Sequence, residues 1–228
     1  MYLFKTLESK YFYQPSWIMA SLVISILIIG YLFSAYNTRV ILMAKALFAI
    51  KNNSAFAREE QSITHPASIL LSLNFILNVA LFAILLLTAK HVVAFVSTKN
   101  EILFLMIAGL VLLIYFFKAI TIKILGTIFY SNSESKEYVH IVFLTNQMVG
   151  ILFVPINIFL AYGNQLWASS MYKTGGVLLI VGFILRIVRG ATLVLTNTKG
   201  QQVYLFIYLC TIEILPLLLA FKLFENTI

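Results

Sequence analysis

Long apolar runs dominate this chain and constrain its fold more than any other feature. Six of them are separated by more polar segments. A run of about twenty such residues, wound as an α-helix, crosses the hydrocarbon core of a bilayer. Because lipid offers no hydrogen-bonding partner to exposed backbone, such runs form helices rather than loops or open sheets. We therefore predict an all-α, polytopic membrane protein with about six transmembrane helices, at 16–36, 68–88, 102–120, 139–162, 175–196 and 203–223.

Composition and charge support the same class of protein. Of the 228 residues, 61% are hydrophobic and only 11% are charged, whereas soluble domains carry about 25% charged residues. The formal net charge is +8, and the Lys and Arg side chains stand singly between the apolar runs. This distribution favours contact with anionic membrane lipids and argues against nucleic-acid binding.

Few residues are available for catalysis or for metal binding. The chain contains no Asp, and Cys210 is its single cysteine, so no disulfide framework and no thiolate metal site is expected. The three His residues fall in different loops or helix ends, and no zinc-protease motif, nucleophile elbow or phosphate-binding glycine loop is present. We predict no cofactor, no metal and no enzymatic activity.

The runs are predicted to form one membrane domain. Without internal repeats or a low-complexity linker, residues 16–223 make a single transmembrane unit between tails at 1–15 and 224–228. A short apolar stretch between the first two runs is compatible with an interfacial helix, although its apolar residues do not fall cleanly on one face.

Topology follows from the positions of the basic residues. The odd-numbered loops and the even-numbered loops with the tails carry equal numbers of Lys and Arg, so the positive-inside rule gives a tie. Lys118 and Lys123, near the end of the third helix, would extend toward the odd loops. This tips the prediction to cytoplasmic odd loops, with both termini on the periplasmic side.

Two arginines interrupt the fifth apolar run. A short turn around Lys199 and Gly200 joins helices five and six into an antiparallel hairpin. Arg186 and Glu213 are equally far from that turn, so they are expected at the same depth, near the membrane midplane. Two interpretations stay open in equal measure: a structural lock that fixes helix register, or a functional site. Arg189 favours the second, because a lock needs only one arginine.

Polar residues on other helices fall on matching faces. Asn146, Gly150 and Asn157 share one face of the fourth helix, and Asn74 and Asn78 share one face of the second. Polar stripes of membrane helices turn toward the bundle interior. For the asparagines, hydrogen bonding between helices is favoured over ligand contact. The predicted interior cluster comprises Asn74, Asn78, Asn146, Asn157, Arg186, Arg189 and Glu213.

Three segments resemble a known family. They are EYVHIVFLTNQMVGILFVP at 137–155, RIVRG at 186–190 and YLCTIEILPLLLAFK at 208–222. In these segments the chain is similar to the multi-pass membrane proteins of Bacteroidota grouped as domain of unknown function 4271. The resemblance implies a bacterial inner-membrane location and no established activity. The family's polar signature would correspond to Glu137, Asn146, Gly150, Pro155, Arg186, Arg189, Tyr208, Glu213, Pro216 and Lys222.

Three classes of function fit these features. A transporter or lipid-handling protein would use the arginines to hold an anionic small molecule or lipid head group, with Glu213 as counter-ion or proton carrier. A scaffold or assembly factor would use the same charges as a lock and would contact another membrane protein or a second copy of the chain. An intramembrane enzyme is the least favoured, because the catalytic motifs are missing. The partners expected are therefore membrane lipids, an anionic ligand and a membrane-protein partner.

Overall fold

The computed structural model describes residues 15–48, 65–89, 100–128, 132–163 and 165–196. Within these ranges the chain is helical and forms five α-helices. They are α1 Ser16–Phe48, α2 Pro66–Ala89, α3 Asn100–Ile128, α4 Asn132–Tyr162 and α5 Gln165–Thr196.

Each described helix contains a stretch long and apolar enough to cross a membrane. These stretches are Ser16–Lys45, Pro66–Thr88, Glu101–Lys118, His140–Tyr162 and Trp167–Arg189. They correspond to the first five predicted spans, and they support the all-helical membrane architecture. The sixth predicted span, 203–223, lies outside the described residues.

Several helix boundaries differ from the sequence prediction, since α3 continues to Ile128 and α4 already begins at Asn132. α1 continues past the predicted end of the first span to Phe48, across a break at Tyr36 with φ −134° and ψ 30°. The stretch considered as an interfacial helix is thus helical to Phe48 as a continuation of α1, and its Val40 and Met43 pack on the bundle. α5 begins at Gln165 rather than at residue 175, because glycines such as Gly175 do not interrupt a helix whose neighbours supply its packing.

Successive helices run in opposite directions, which gives the bundle two distinct ends. At the His65 end, α2 and α4 begin and α1, α3 and α5 finish. At the Trp17 end, α1, α3 and α5 begin and α2 and α4 finish. Contacts at both ends fit this arrangement. The rings of Tyr36 and His65 are 5.3 Å apart, and those of Trp17 and Phe104 are also 5.3 Å apart.

A parallel pair, α2 and α4, forms the centre of the bundle. α1, α3 and α5 all pack against α4, and α1 and α3 pack against α2 as well. The pair approaches closely at Gly150, where a Cβ atom would lie 2.7 Å from the Cα of Phe75. Small residues permit such approach, and van der Waals packing drives helix association when lipid surrounds the protein.

The helices differ in how much of their surface the bundle covers. Side chains of α2 and α4, such as Leu81, Ile84 and Phe153, are fully buried in the main apolar core. α3 instead exposes large apolar side chains, among them Leu105 and Phe117. In a membrane this surface faces lipid tails, so apolar exposure there carries no hydrophobic penalty.

Candidate functional site

Three asparagines and one serine form a hydrogen-bonded chain across α1, α2 and α4. We call this group, Ser25, Asn74, Asn78 and Asn157, the asparagine ladder. The Asn157 amide donates to the backbone and side-chain oxygens of Asn78, at 2.9 and 3.1 Å. The Asn78 amide donates in turn to Asn74 Oδ1 and to Ser25 Oγ, both at 3.0 Å. All three asparagines are 0% exposed, so the ladder ties three helices together inside the bundle.

A second polar group lies nearer the His65 end. Gln147 of α4 donates through Nε2 to the Ser68 carbonyl at 3.0 Å, to Ser68 Oγ at 2.7 Å and to Ser72 Oγ at 3.1 Å. Ser72 also donates to the Ser68 carbonyl at 2.9 Å. The side chain of Gln147 is 1% exposed. This group fixes the register of α4 against the first turns of α2.

Arg186 of α5 places a positive charge against the central pair of helices, α2 and α4. Its guanidinium Nη2 donates to the side-chain oxygen of buried Asn146. Gly182, one turn earlier on α5, allows this approach, because a Cβ there would lie 3.0 Å from a methyl group of Val149. Arg186 is half-buried and makes further interactions beyond this bond, so its charge is held within the packed part of the bundle.

The hydroxyl of Tyr115 completes this site from α3. It is buried close to the side chains of Asn146 and Ser72 and within electrostatic range of Arg186. It makes no hydrogen bond of standard geometry to the described residues. The Tyr115 ring packs against Phe143, with ring centroids 4.5 Å apart. We call Ser72, Tyr115, Asn146 and Arg186 the arginine site, to which each of α2, α3, α4 and α5 contributes one residue.

The arginine site lies off the centre of the spans. Asn146 is about six residues inside the stretch that begins at His140, or roughly 9 Å at 1.5 Å per residue. Ser72 is similarly distant from Pro66, at the start of the α2 stretch. Arg186 lies three residues before the end of its own apolar stretch, Trp167–Arg189. Its midplane depth stays a prediction.

The predicted cluster separates into two groups in the structure. Asn74, Asn78 and Asn157 meet in the ladder, whereas Asn146 and Arg186 meet in the arginine site. Arg189 is half-buried one turn beyond Arg186 toward the His65 end, and it has interactions of its own. The predicted partner Glu213 lies outside the described residues.

The positions matching the family signature are also distributed. Gly150 lies at a close approach of α2 and α4, and Pro155 lies within α4 on its exposed side. Glu137 belongs to the first turns of α4, and its side chain is not described. Tyr208, Pro216 and Lys222 fall outside the described residues.

Several residues of the ladder, the Gln147 group and the arginine site were not predicted from the sequence. Ser25 is an isolated small residue in an apolar run, and Tyr115 resembles any other membrane aromatic. Ser68 and Ser72 did carry a signal, because their i, i+4 spacing places both hydroxyls on one helix face. Gln147 directly follows Asn146 and so falls outside the i, i+4 face that was counted.

Comparison with known proteins places the chain in a family without assigning it an activity. No curated protein and no solved structure matches it. A family model, Domain of unknown function (DUF4271), matches residues 18–224. This match covers the five described spans except for the first two residues of α1, together with the asparagine ladder and the arginine site, and the chain therefore belongs to the DUF4271 family of membrane proteins.

Proposed function

We propose that this membrane protein binds and handles an anionic small molecule or lipid head group at the arginine site. The observation that carries the proposal is the placement of Arg186 against buried Asn146 within the membrane-crossing part of α4 and α5. An ionisable residue at such a position is costly, and it commonly marks a ligand pathway or binding site.

The chemistry of the neighbouring groups suits an anion. A guanidinium presents several N–H donors in a planar fork that matches a phosphate or carboxylate. The Tyr115 hydroxyl, buried beside Asn146, adds a donor with no well-made bond to the described residues. Arg189 adds a second positive charge one turn away. The ligand would thus bind through charge-assisted hydrogen bonds.

Thermal unfolding in a neutral detergent tests this proposal. The probes are phosphatidylglycerol and inorganic phosphate, added separately so that a lipid head group and a free anion are distinguished. Ligand that binds only the folded state stabilises it by about 2.7 kcal/mol at one hundred times its Kd. We expect phosphatidylglycerol, phosphate or both to raise the unfolding midpoint of the wild type.

Two variants locate the effect. Arg186→Gln should abolish the rise, because the amide keeps polar contacts but loses the charge and the fork. Arg39→Gln is the matched control, since Arg39 is also half-buried but lies on α1 after the Tyr36 break. An equal rise in all three proteins would place binding elsewhere and defeat the proposal.

The second candidate function is a scaffold or assembly factor in which the polar groups act as a structural lock. The observation in its favour is that the ladder and Gln147 use their amides to join helices. Such a protein would co-purify with another membrane protein at fixed stoichiometry, and Arg186→Gln would leave the anion response unchanged.

We also propose a bacterial inner-membrane location with both termini in the periplasm. Under this topology the His65 end faces the cytoplasm. Fusions at the C-terminus distinguish the orientations, because alkaline phosphatase is active only after export, whereas green fluorescent protein fluoresces when it remains in the cytoplasm. A fluorescent and phosphatase-negative C-terminus would reverse the assignment.

A further inference from the structure

Two polar atoms of the asparagine ladder have no hydrogen-bond partner in the part of the chain that the structure describes. Asn74 Nδ2 and Asn157 Oδ1 are buried and make no hydrogen bond to the described residues. Both residues are 0% exposed. One atom is a donor and the other an acceptor, and they lie at opposite ends of the ladder.

Flipping the side-chain amides, which exchanges their nitrogen and oxygen atoms, does not give these two atoms partners, because backbone carbonyls fix the amide orientation. Asn157 faces the carbonyl oxygen of Asn78 at 2.9 Å, so its nitrogen must point there. Asn78 likewise faces the Asn74 carbonyl at 2.8 Å with its own nitrogen. Asn74 must then present Oδ1 to the Asn78 amide, which leaves its Nδ2 directed elsewhere. The orientation therefore follows from acceptors that have no alternative.

Leaving these atoms unsatisfied would be expensive within a membrane. A buried amide group without a hydrogen bond loses its hydration and gains nothing in return, and the cost is larger where no partner can reach it. Ordered waters commonly satisfy such groups in protein interiors. We propose that water molecules bind Asn74 Nδ2 and Asn157 Oδ1, so that the ladder is hydrated inside the bundle.

The arrangement of side chains indicates where this water enters. From the ladder toward the His65 end, α2 and α4 bury Ser68 and Gln147, and Ser72 between them and the ladder is half-buried. Toward the Trp17 end, the next turns of α2 and α4 are apolar and bury Phe82, Leu85, Leu160 and Ala161. Water therefore reaches the ladder from the His65 end and stops at the apolar turns.

Water-edited solid-state NMR of the full-length protein in lipid bilayers tests the proposal. The protein carries ¹⁵N throughout and ¹³C at the asparagine side-chain carbonyls, and transfer from water protons to each nucleus is timed. Asn74 Nδ2 and the Asn157 carbonyl carbon should gain signal several-fold faster than the backbone nitrogen of Ile84. Ile84 is the control because it is fully buried on the apolar side of the ladder. An Asn74→Asp variant identifies the Asn74 signal by its loss.

The outcomes are distinct. Fast transfer to Asn74 and Asn157, with slow transfer to Ile84, supports bound water that enters from the His65 end. Transfer to both asparagines as slow as that to Ile84 would overturn the hydrated ladder. Fast transfer to Ile84 as well would overturn the assigned entry side. None of these results depends on the arginine site, so the proposed function can fail while the hydrated ladder stands.

Discussion

The Cα of Phe75 lies where a side chain at position 150 would begin. A Cβ atom on Gly150 would approach the Phe75 Cα to 2.7 Å and its Cβ to 2.8 Å. These are atoms near the backbone of α2, so rotation of the Phe75 side chain cannot relieve the contact. The close packing of the central pair of helices therefore depends on one hydrogen atom at position 150.

Gly150→Ala should destabilise the protein, because α2 and α4 must separate to admit the methyl group. Overpacking of this kind costs about 1–3 kcal/mol. The measurement is the free energy of unfolding in mixed detergent micelles. Gly109→Ala is the matched control, since a Cβ there has nothing within 4 Å. At that position the higher helix propensity of Ala should stabilise the protein by up to about 1 kcal/mol. Equal effects of the two substitutions would contradict the close-approach argument.

The bond between Asn78 and Asn157 should appear as a positive coupling energy. Asn78→Ala and Asn157→Ala each remove one side of the contact between α2 and α4. Polar contacts between membrane helices average about 0.6 kcal/mol in such cycles and reach about 1.7. We expect a value near the average, because Asn78→Ala removes the side-chain bond and leaves the bond from Asn157 to the Asn78 backbone carbonyl in place. Unfolding free energies of the wild type, two single variants and the double variant give the coupling, and strict additivity would refute it.

Substitutions at Arg186 and Asn146 should have coupled effects on stability. Asn146→Leu removes the acceptor of one guanidinium hydrogen bond within the membrane-crossing stretch, at a cost of up to about 2.5–3.5 kcal/mol by membrane-insertion scales. Adding Arg186→Leu removes the charge that Asn146 supported, so the double variant should recover stability relative to Asn146→Leu. Thermal midpoints in detergent measure both steps. No recovery in the double variant would show that Asn146 does not support the arginine.

A double-mutant cycle also tests the predicted pair of Arg186 and Glu213. If the pair is a lock, Glu213→Leu alone should destabilise, and Glu213→Leu with Arg186→Leu should restore part of the loss. Thermal midpoints of the four proteins in detergent provide the comparison. Unchanged or raised stability in Arg186→Leu alone would exclude the lock.

The stability cost of a substitution at Gly175 should depend on the side chain at position 82. A Cβ on Gly175 would lie 2.4 Å from Cε2 and 2.5 Å from Cζ of Phe82, and that ring is held by Phe153 at 4.9 Å and by Tyr172 at 6.4 Å. Gly175→Ala should therefore destabilise in the wild-type background. In a Phe82→Leu background the ring atoms are gone, so the same substitution should cost less. Thermal midpoints of the four proteins decide this, and an equal cost in both backgrounds would contradict the geometry.

The sequence predicted the described spans better than it predicted their contacts. Apolar runs long enough to cross a bilayer locate the helices, because lipid enforces both their length and their composition. Periodicity also placed Asn74 with Asn78, and Asn146 with Asn157, on shared faces. It could not determine that Asn157 bonds to Asn78 while Asn146 accepts from Arg186, since a helical face does not specify its neighbour. The contribution of Tyr115 depends on the packing of α3, which leaves no periodic polar signal.

The parallel directions of α2 and α4 bear on the order in which the protein assembles. Asn157 follows Asn78 by 79 residues, so at roughly 5–20 residues per second the ribosome adds it about 4–16 s later. Ser25, which precedes Asn78 by 53 residues, has already been synthesised. During translation, Asn78 can therefore meet its α1 partner first, and α4 joins this preformed pair only after α3 has been inserted. In this order of insertion, α2 contacts α1 first, and the central pair of α2 and α4 forms late.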